Sequence, residues 1–143
     1  VLRPFDGVIP YRLEMQAKLK IGQAKDLYSY WGSSIADELY RETDCVVDLA
    51  SKEYSRCVTQ HRPAGTRWIT CVFGELAGGR VVEKGTLCKM ARGEMVRFLA
   101  EQGVDSPEGI KDFQGLDYTF SPAHSDGETY TFLLQPKEGS RCG

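Results

Sequence analysis

The sequence RWITCVFGEL, at residues 67–76, decides the fold class. It is rich in β-branched and aromatic residues, a composition typical of strands. Ala77-Gly78-Gly79 follows it as a turn, and residues 80–89 are predicted to return as the second arm of a hairpin. The chain is therefore predicted to contain a β-sheet with antiparallel pairing.

The segments before this hairpin predict two helices and one strand. Apolar residues after the capping residue Asp26 recur at helical spacing and predict a helix that runs to about Arg41. Residues 45–49 predict a short buried strand, and residues 52–58 predict a second, shorter helix. Residues 1–25 are punctuated by proline and glycine and predict irregular structure.

The segments after the hairpin predict further helices and strands. Residues 90–102 carry an apolar stripe at helical spacing, and Ser106-Pro107 begins another short helix. Residues 118–121 and 129–134 predict two strands. This order of elements predicts an α+β fold, in which a mixed sheet with β-hairpins packs against helices.

The chain has 143 residues, of which 41% are hydrophobic and 27% are charged. These values are ordinary for a globular protein and argue against a disordered or fibrous chain. Residues 1–135 are predicted to form a single domain and residues 136–143 a flexible tail. No apolar run approaches the roughly 18 residues that span a bilayer, so no membrane partner is expected.

The cysteines are odd in number and widely spaced, and none forms a C-x-x-C pair. That pattern excludes a zinc ribbon and disfavours a disulfide framework. Free cysteines behave as small buried hydrophobes, and their use here is typical of a reducing compartment, which predicts a cytoplasmic protein. They are Cys45, Cys57, Cys71, Cys88 and Cys142.

The charged residues are unevenly distributed along the chain. The overall net charge is −2, but residues 52–97 carry a net charge of +5, between flanking segments of −2 and −5. A basic middle third suggests a surface that faces an anion. Alternatively, the acidic and basic segments fold against each other.

The first candidate site is the strand-to-helix junction at residues 48–54. A helix N-terminus offers free backbone N–H groups to a phosphate. Ser51, Lys52 and Tyr54 could add donors, and Glu53 could act as a general acid or base. Alternatively, this is an ordinary helix start with Ser51 as its N-cap and Tyr54 in the core.

The second candidate site is residues 89–97. Lys89 and Arg92 are three residues apart and share a helix face, while Arg97 is offset from Arg92 by about 140°. Gly93 lies inside the helix, where glycine is unfavourable unless a backbone or a ligand approaches closely. Alternatively, this is a solvated face on which Arg92 pairs with Glu94 or a more distant acid.

Motifs for catalysis or metal binding are missing from the sequence. It contains no G-x-S-x-G, G-x-x-x-x-G-K-[ST] or H-E-x-x-H pattern. Both histidines, His61 and His124, stand in turn-like contexts and are predicted to be surface side chains. No metal site and no cofactor are predicted, and whether the chain is an enzyme stays open.

Four motifs, in order, resemble the YaaA family of bacterial peroxide stress proteins. The chain is similar to roughly the C-terminal half of that family, so the missing N-terminal half is an implied partner. The first motif runs from Val1-Leu2-Arg3-Pro4 to Tyr11-Arg12-Leu13-Glu14-Met15, and the others are Asp26-Leu27-Tyr28 with Trp31, Leu49-Ala50-Ser51-Lys52-Glu53-Tyr54, and residues 89–98.

The resemblance implies a cytoplasmic protein that binds DNA through a positively charged cleft and limits oxidative DNA damage by restraining free intracellular iron. It also implies a helix-hairpin-helix-like element, for which residues 90–113 are the candidate. The chain departs from the family pattern at three positions. Asp48 replaces an asparagine, Arg56 replaces a lysine, and Lys89-Met90 replaces a basic pair.

Two hypotheses follow. In the first, the chain is a stress protein that binds double-stranded DNA, and its phosphate contacts come from Arg12, Lys52, Arg56, Lys89, Arg92 and Arg97. In the second, it is an enzyme acting on a nucleotide or nucleobase, with a phosphate site at Ser51 and Arg92 and with Glu53 as acid or base. Both require these groups to line a shared hollow.

Overall fold

The computed structural model describes residues 27–136. The chain forms two compact units, Val1–Trp68 and Ile69–Gly143. The border between them falls within one strand, just after Trp68.

The first unit contains α1 (Leu27–Glu42), β1 (Cys45–Asp48) and α2 (Lys52–Thr59). The two helices pack against each other, and the backbone N–H of Arg67 donates to the carbonyl of Asp44 at 2.7 Å. Burial of apolar surface holds this unit together. Its core consists of Ile35, Ala36, Val46, Ala50, Tyr54, Cys57, Val58 and Trp68.

The second unit is built on the sheet that contains β2 (Arg67–Ala77). β3 (Arg80–Val82) pairs with β2 in antiparallel orientation, and β5 (Thr129–Leu134) pairs with β2 in parallel orientation. β4 (Tyr118–Phe120) pairs with β5 in antiparallel orientation. The sheet is therefore mixed, which confirms the predicted α+β fold.

Two helices and two short 3₁₀ turns complete this unit. The helices are α3 (Gly85–Glu101) and α4 (Pro107–Ile110), and the turns are Gly115–Asp117 and Pro122–His124. Gly103 has a positive φ of 58° just after α3, as is common at helix ends. Because α4 has a single turn, the helix-hairpin-helix assignment of residues 90–113 stays a prediction.

An aromatic cluster joins α3 to one face of the sheet. Phe73 of β2 stacks on Phe132 of β5, with 5.3 Å between ring centroids. Phe113 makes edge contacts with both Phe73 (5.8 Å) and Phe98 of α3 (5.6 Å). α3 therefore lies on the face of the sheet to which Phe73 points.

One predicted boundary is wrong. β3 ends at Val82 and does not continue to Lys89, and α3 begins at Gly85, five residues before the predicted Met90. The apolar stripe of α3 already starts in its first turn, because Cys88 is buried together with Ala91, Met95 and Leu99. Helical periodicity thus outweighs the local strand-like composition of residues 86–88.

The other predicted elements are confirmed to within a few residues. The predicted irregular segment 1–25 and residues 137–143 of the predicted tail lie outside the described residues. The single-domain assignment of residues 1–135 stays a prediction. Within the described part of the chain, no helix is long and apolar enough to cross a membrane.

Candidate phosphate-binding surfaces

The junction between β1 and α2 is organised by the buried carboxylate of Asp48, which is 6% exposed. Its Oδ1 accepts the backbone N–H of Ala50 at 3.0 Å and the hydroxyl of Ser55 at 2.7 Å. This bonding closes the turn that leads from the strand into the helix. Asp48 therefore fixes the backbone that presents Ser51.

Ser51 occupies the N-cap position of α2 with extended backbone angles (φ −68°, ψ 155°), but its side chain makes no capping hydrogen bond. Its carbonyl accepts the N–H of Ser55 at 2.9 Å. The position predicted for Ser51 is thus confirmed, whereas its side-chain capping role is wrong. The hydroxyl is left available for another partner.

Of the other residues predicted at this junction, some are exposed and one is buried. Lys52, Glu53 and Arg56 are exposed on α2. Tyr54 is 3% exposed and belongs to the core of the first unit, as in the alternative interpretation. Arg12 lies outside the described residues.

The pKa of Tyr40, which lies near this junction, is raised above its ordinary value. Burial raises the pKa of its phenol, the cation of Arg62 opposes that rise, and the carboxylate of Asp48 adds to it. The hydroxyl of Tyr40 donates to the carbonyl of Val58 at 3.3 Å. Tyr40 is therefore a neutral hydrogen-bond donor that ties α1 to α2.

In the second unit, α3 presents one face to the core and the opposite face outward. Lys89, Gly93 and Arg97 are on the exposed face, four residues apart from one to the next, and Arg92 is half-buried at its border. Residues at this spacing lie above one another on a helix. The helix thus brings the predicted residues Lys89, Arg92 and Arg97 together around Gly93.

The cations of this face differ in their partners. Arg97 Nε lies 2.9 Å from Glu101 Oε1, and this hydrogen bond and charge raise the pKa of Arg97. Among residues 27–136, no carboxylate forms an ion pair with Lys89 or Arg92. The alternative interpretation, in which Arg92 pairs with Glu94, therefore does not hold within the described chain.

Among residues 27–136, Gly93 has no packing partner that would explain its identity. A Cβ built on Gly93 meets no heavy atom within 4 Å, whereas one built on Gly32 of α1 would lie 2.6 Å from the carbonyl oxygen of Cys57. Gly32 is thus required by the close crossing of α1 and α2. Gly93 instead leaves a flat, open position on α3.

Arg80 is exposed at the tip of the β2–β3 hairpin. It belongs to the basic segment 52–97, but the sequence patterns assign it no role. The Gly78-Gly79 pair was the available signal, because such a turn places the next residue at a hairpin tip. Among the residues that the structure describes, no carboxylate pairs with Arg80.

The predicted surface positions of the histidines are confirmed. His61 and His124 are both exposed, and Nδ1 of His124 lies 2.8 Å from the hydroxyl oxygen of Ser121. Between residues 27 and 136, no group of three or more histidine, cysteine, aspartate or glutamate side chains is arranged to hold a metal ion.

The buried cysteines are also as predicted. Cys57, Cys71 and Cys88 are free and buried, and Cys45 is partly buried. The thiol of Cys88 donates to the carbonyl of Phe73 at 3.0 Å. Burial raises the pKa of this thiol, and the carboxylate of Glu83 raises it further.

The predicted phosphate residues thus form two groups, one on each unit. Ser51, Lys52 and Arg56 belong to the first unit, and Lys89, Arg92 and Arg97 to the second. A shared hollow lined by Ser51 and Arg92 stays a prediction.

Comparison with known proteins places these residues in a family context. A UPF0246 protein of Desulfitobacterium hafniense (strain Y51) is 50% identical over 133 residues, which are 93% of this chain and 53% of that protein. A UPF0246 protein of Lachnoclostridium phytofermentans is 47% identical over 133 residues, or 93% and 52% of the two chains. One of Limosilactobacillus reuteri is 44% identical over 134 residues, or 94% and 54%.

The chain therefore spans about half the length of the curated relatives it matches. The family model described as peroxide stress protein YaaA matches residues 1–124, which include both candidate surfaces. On this match, the chain belongs to the YaaA family of peroxide stress proteins.

Proposed function

We propose that this chain binds double-stranded DNA through the backbone phosphates and that α3 is its main contact helix. The observation that carries the proposal is the open face of α3, where Lys89 and Arg92 lack ion pairs with described carboxylates and flank the uncovered backbone of Gly93.

Unpaired cations favour phosphate binding for an energetic reason. An arginine that is already paired must exchange one anion for another, whereas an unpaired one gains a new charge-assisted hydrogen bond. Arg92 can hold a phosphate through two parallel N–H groups, and Lys89 adds a point charge one helical turn away. Because Gly93 has no side chain, a sugar-phosphate backbone can approach α3 closely between them.

Contacts of this kind position a protein on DNA without reading its sequence. Lys52 and Arg56 on α2 would add phosphate contacts, and the hydroxyl of Ser51 would add a neutral donor.

The physiological role that goes with this activity is protection against peroxide damage, with restraint of free intracellular iron as its outcome, as the family resemblance implies. The iron effect is tested in peroxide-treated cells, where loss of the protein should raise the level of free iron.

The test of DNA binding is the variant Arg92→Glu, measured against a short duplex over a range of salt concentrations. We expect its affinity to fall at least tenfold, since one favourable phosphate contact is replaced by a repulsive one. Arg41→Glu is the matched control, because Arg41 is an exposed helical arginine outside the candidate set. The control should bind as the wild type does.

Equal affinities of wild type and Arg92→Glu at every salt concentration would contradict the proposal. Thermal unfolding of both variants establishes that the fold is intact, so that a loss of affinity can be assigned to the contact itself.

The hydroxyl of Ser51 makes no capping hydrogen bond and is therefore available to a ligand. This favours a second candidate function, an enzyme that acts on a nucleotide or nucleobase. Here the N-terminal amides of α2 would hold phosphate, and the exposed Glu53 would act as general acid or base. Thermal shifts separate the two functions, because a ligand stabilises the folded state that binds it. A large shift with a mononucleotide supports the enzyme, and a shift only with duplex DNA supports the first proposal.

A further inference from the structure

The β2–β3 hairpin extends beyond the rest of its sheet. The pairing of β2 with β5 ends at Gly74, opposite Leu133. Beyond that point, residues 75–77 of β2 pair with residues 80–82 of β3. Residues 75–82 therefore form a two-stranded arm, which we name the hairpin arm.

The register assigns side chains to the two faces of the hairpin arm. Ala77 pairs with Arg80, and Glu75 pairs with Val82. Since side chains alternate along a strand, all four point to the same face as Phe73, the face on which α3 lies. Leu76 and Val81 form the remaining pair and point to the opposite face.

The tip of the hairpin arm is thin and open. Gly78 and Gly79 form the turn with positive φ angles of 59° and 79°, and a Cβ built on either meets no described residue within 4 Å. Arg80 follows directly and is exposed. Val82, on the same face as Arg80, is 43% exposed, which is high for a valine in a strand.

The base of the hairpin arm lies next to the start of α3. Lys84 links the two in sequence, and its Nζ lies 3.1 Å from Glu75 Oε2. This ion pair fixes the base of the arm next to the first turn of α3. Arg80 is thus placed on the same side of the sheet as Lys89 and Arg92.

We infer that the hairpin arm enters the major groove of DNA and that Arg80 contacts a guanine there. This inference rests on the proposed function, since α3 must first hold the flanking phosphates. The major groove is about 12 Å wide and admits a two-stranded ribbon. It also presents the N7 and O6 acceptors that distinguish guanine from the other bases, whereas the minor groove presents a degenerate pattern.

The chemistry of the arm fits base edges. The guanidinium of Arg80 matches the N7 and O6 acceptors of guanine, which it can engage through two hydrogen bonds. Ala77 and Val82 offer small apolar surfaces of the kind that contact the methyl group of thymine. The bare glycine tip lets the arm enter without a steric clash.

The experiment compares two duplexes of identical sequence, one with guanine and one with 7-deazaguanine, which lacks the N7 acceptor but leaves the phosphates unchanged. The full 143-residue chain should bind the 7-deazaguanine duplex about tenfold more weakly, because the contact of Arg80 loses one of its two hydrogen bonds. Arg80→Ala should bind both duplexes equally. Arg80→Lys keeps the charge but not the planar fork, so it should also lose most of the discrimination.

Leu76→Ala is the matched control, because Leu76 is 53% exposed on the opposite face of the arm. It should discriminate between the duplexes as the wild type does. Equal binding of both duplexes by the wild type, or undiminished discrimination by Arg80→Ala, would overturn the inference.

The two proposals fail in different ways. Loss of binding in Arg92→Glu, together with a wild type that is indifferent to 7-deazaguanine, refutes the groove contact alone. A wild type that binds neither duplex refutes the proposed function and the inference with it.

Discussion

Two glycines in helices, Gly32 and Gly93, have different surroundings. Gly32 is required within the molecule, because a Cβ there would collide with the carbonyl of Cys57. Gly93 meets no such neighbour among the described residues. The sequence places both glycines in helices, but it cannot distinguish them, since the distinction depends on which neighbouring backbone approaches.

The two glycines should respond to alanine with opposite signs. Gly93→Ala is expected to stabilise the fold by about 1 kcal/mol, because alanine is favoured in a helix interior and has room here. Gly32→Ala should lower the melting temperature, since α1 and α2 would have to move apart. Thermal unfolding measures both, and a destabilised Gly93→Ala protein would show that a further segment packs on that position.

A larger residue at Gly93 should separate stability from DNA binding. Gly93→Gln is expected to fold normally and to weaken duplex binding, because its side chain would occupy the space into which the phosphate backbone fits. Ala100→Gln is the control, an exposed position two turns further along α3. Equal losses of affinity in both variants would contradict a specific role for the open space beside the backbone of Gly93.

At the scale of single elements, most helices and strands follow from local patterns. The exception is the start of α3, where Thr86, Leu87 and Cys88 are compatible with a strand. The contact that decides is tertiary, because Cys88 points into the core beneath Phe73. The Gly78-Gly79 turn, by contrast, predicts the hairpin correctly, but it does not predict that β3 is only three residues long.

The connection between β4 and β5 depends on a carboxylate. Oδ1 of Asp126 accepts the backbone N–H groups of Glu128 and Thr129, both at 2.8 Å, and these bonds hold the pKa of Asp126 below its ordinary value of 3.8. A carboxyl whose pKa is lowered by folding stabilises the folded state above its unfolded pKa. That stabilisation is lost as the pH falls through the folded pKa.

Asp126→Ala should therefore melt at a lower temperature than the wild type at neutral pH. The difference between their melting temperatures should become smaller in strong acid. Asp126→Asn, which keeps an oxygen acceptor but no charge, should be intermediate and show no such narrowing. Melting curves recorded from neutral to acidic pH test this. If the difference in melting temperature between Asp126→Ala and the wild type were the same at every pH, the ionised carboxylate would be ruled out as the source of the stability.

At the scale of the whole molecule, the sequence identifies the basic residues but not their arrangement. Local patterns place Lys52 and Arg56 on one helix and Lys89 and Arg92 on another, and the structure confirms both placements. Whether the two groups share one ligand depends on how distant parts of the chain come together, and that information is not contained in local periodicity.

The salt dependence of DNA binding counts how many of these cations act together. Each phosphate contact lowers the logarithm of the affinity by about 0.9 per logarithm of salt concentration. If the five cations of the two groups and Arg12, six in all, engage one duplex, the slope should be about −5. If only the three cations on α3 engage, it should be about −3. Titration of duplex binding distinguishes these values, and a slope near zero would contradict phosphate contacts altogether.

The shielding of Cys88 has a consequence for a protein whose family acts under oxidative attack. Hydrogen peroxide oxidises the ionised sulfur of cysteine to sulfenic acid and leaves the neutral form largely untouched. At Cys88, the apolar surroundings and the bond to the Phe73 carbonyl keep the sulfur protonated. The packing of α3 on the sheet therefore depends on a thiol that hydrogen peroxide does not readily oxidise.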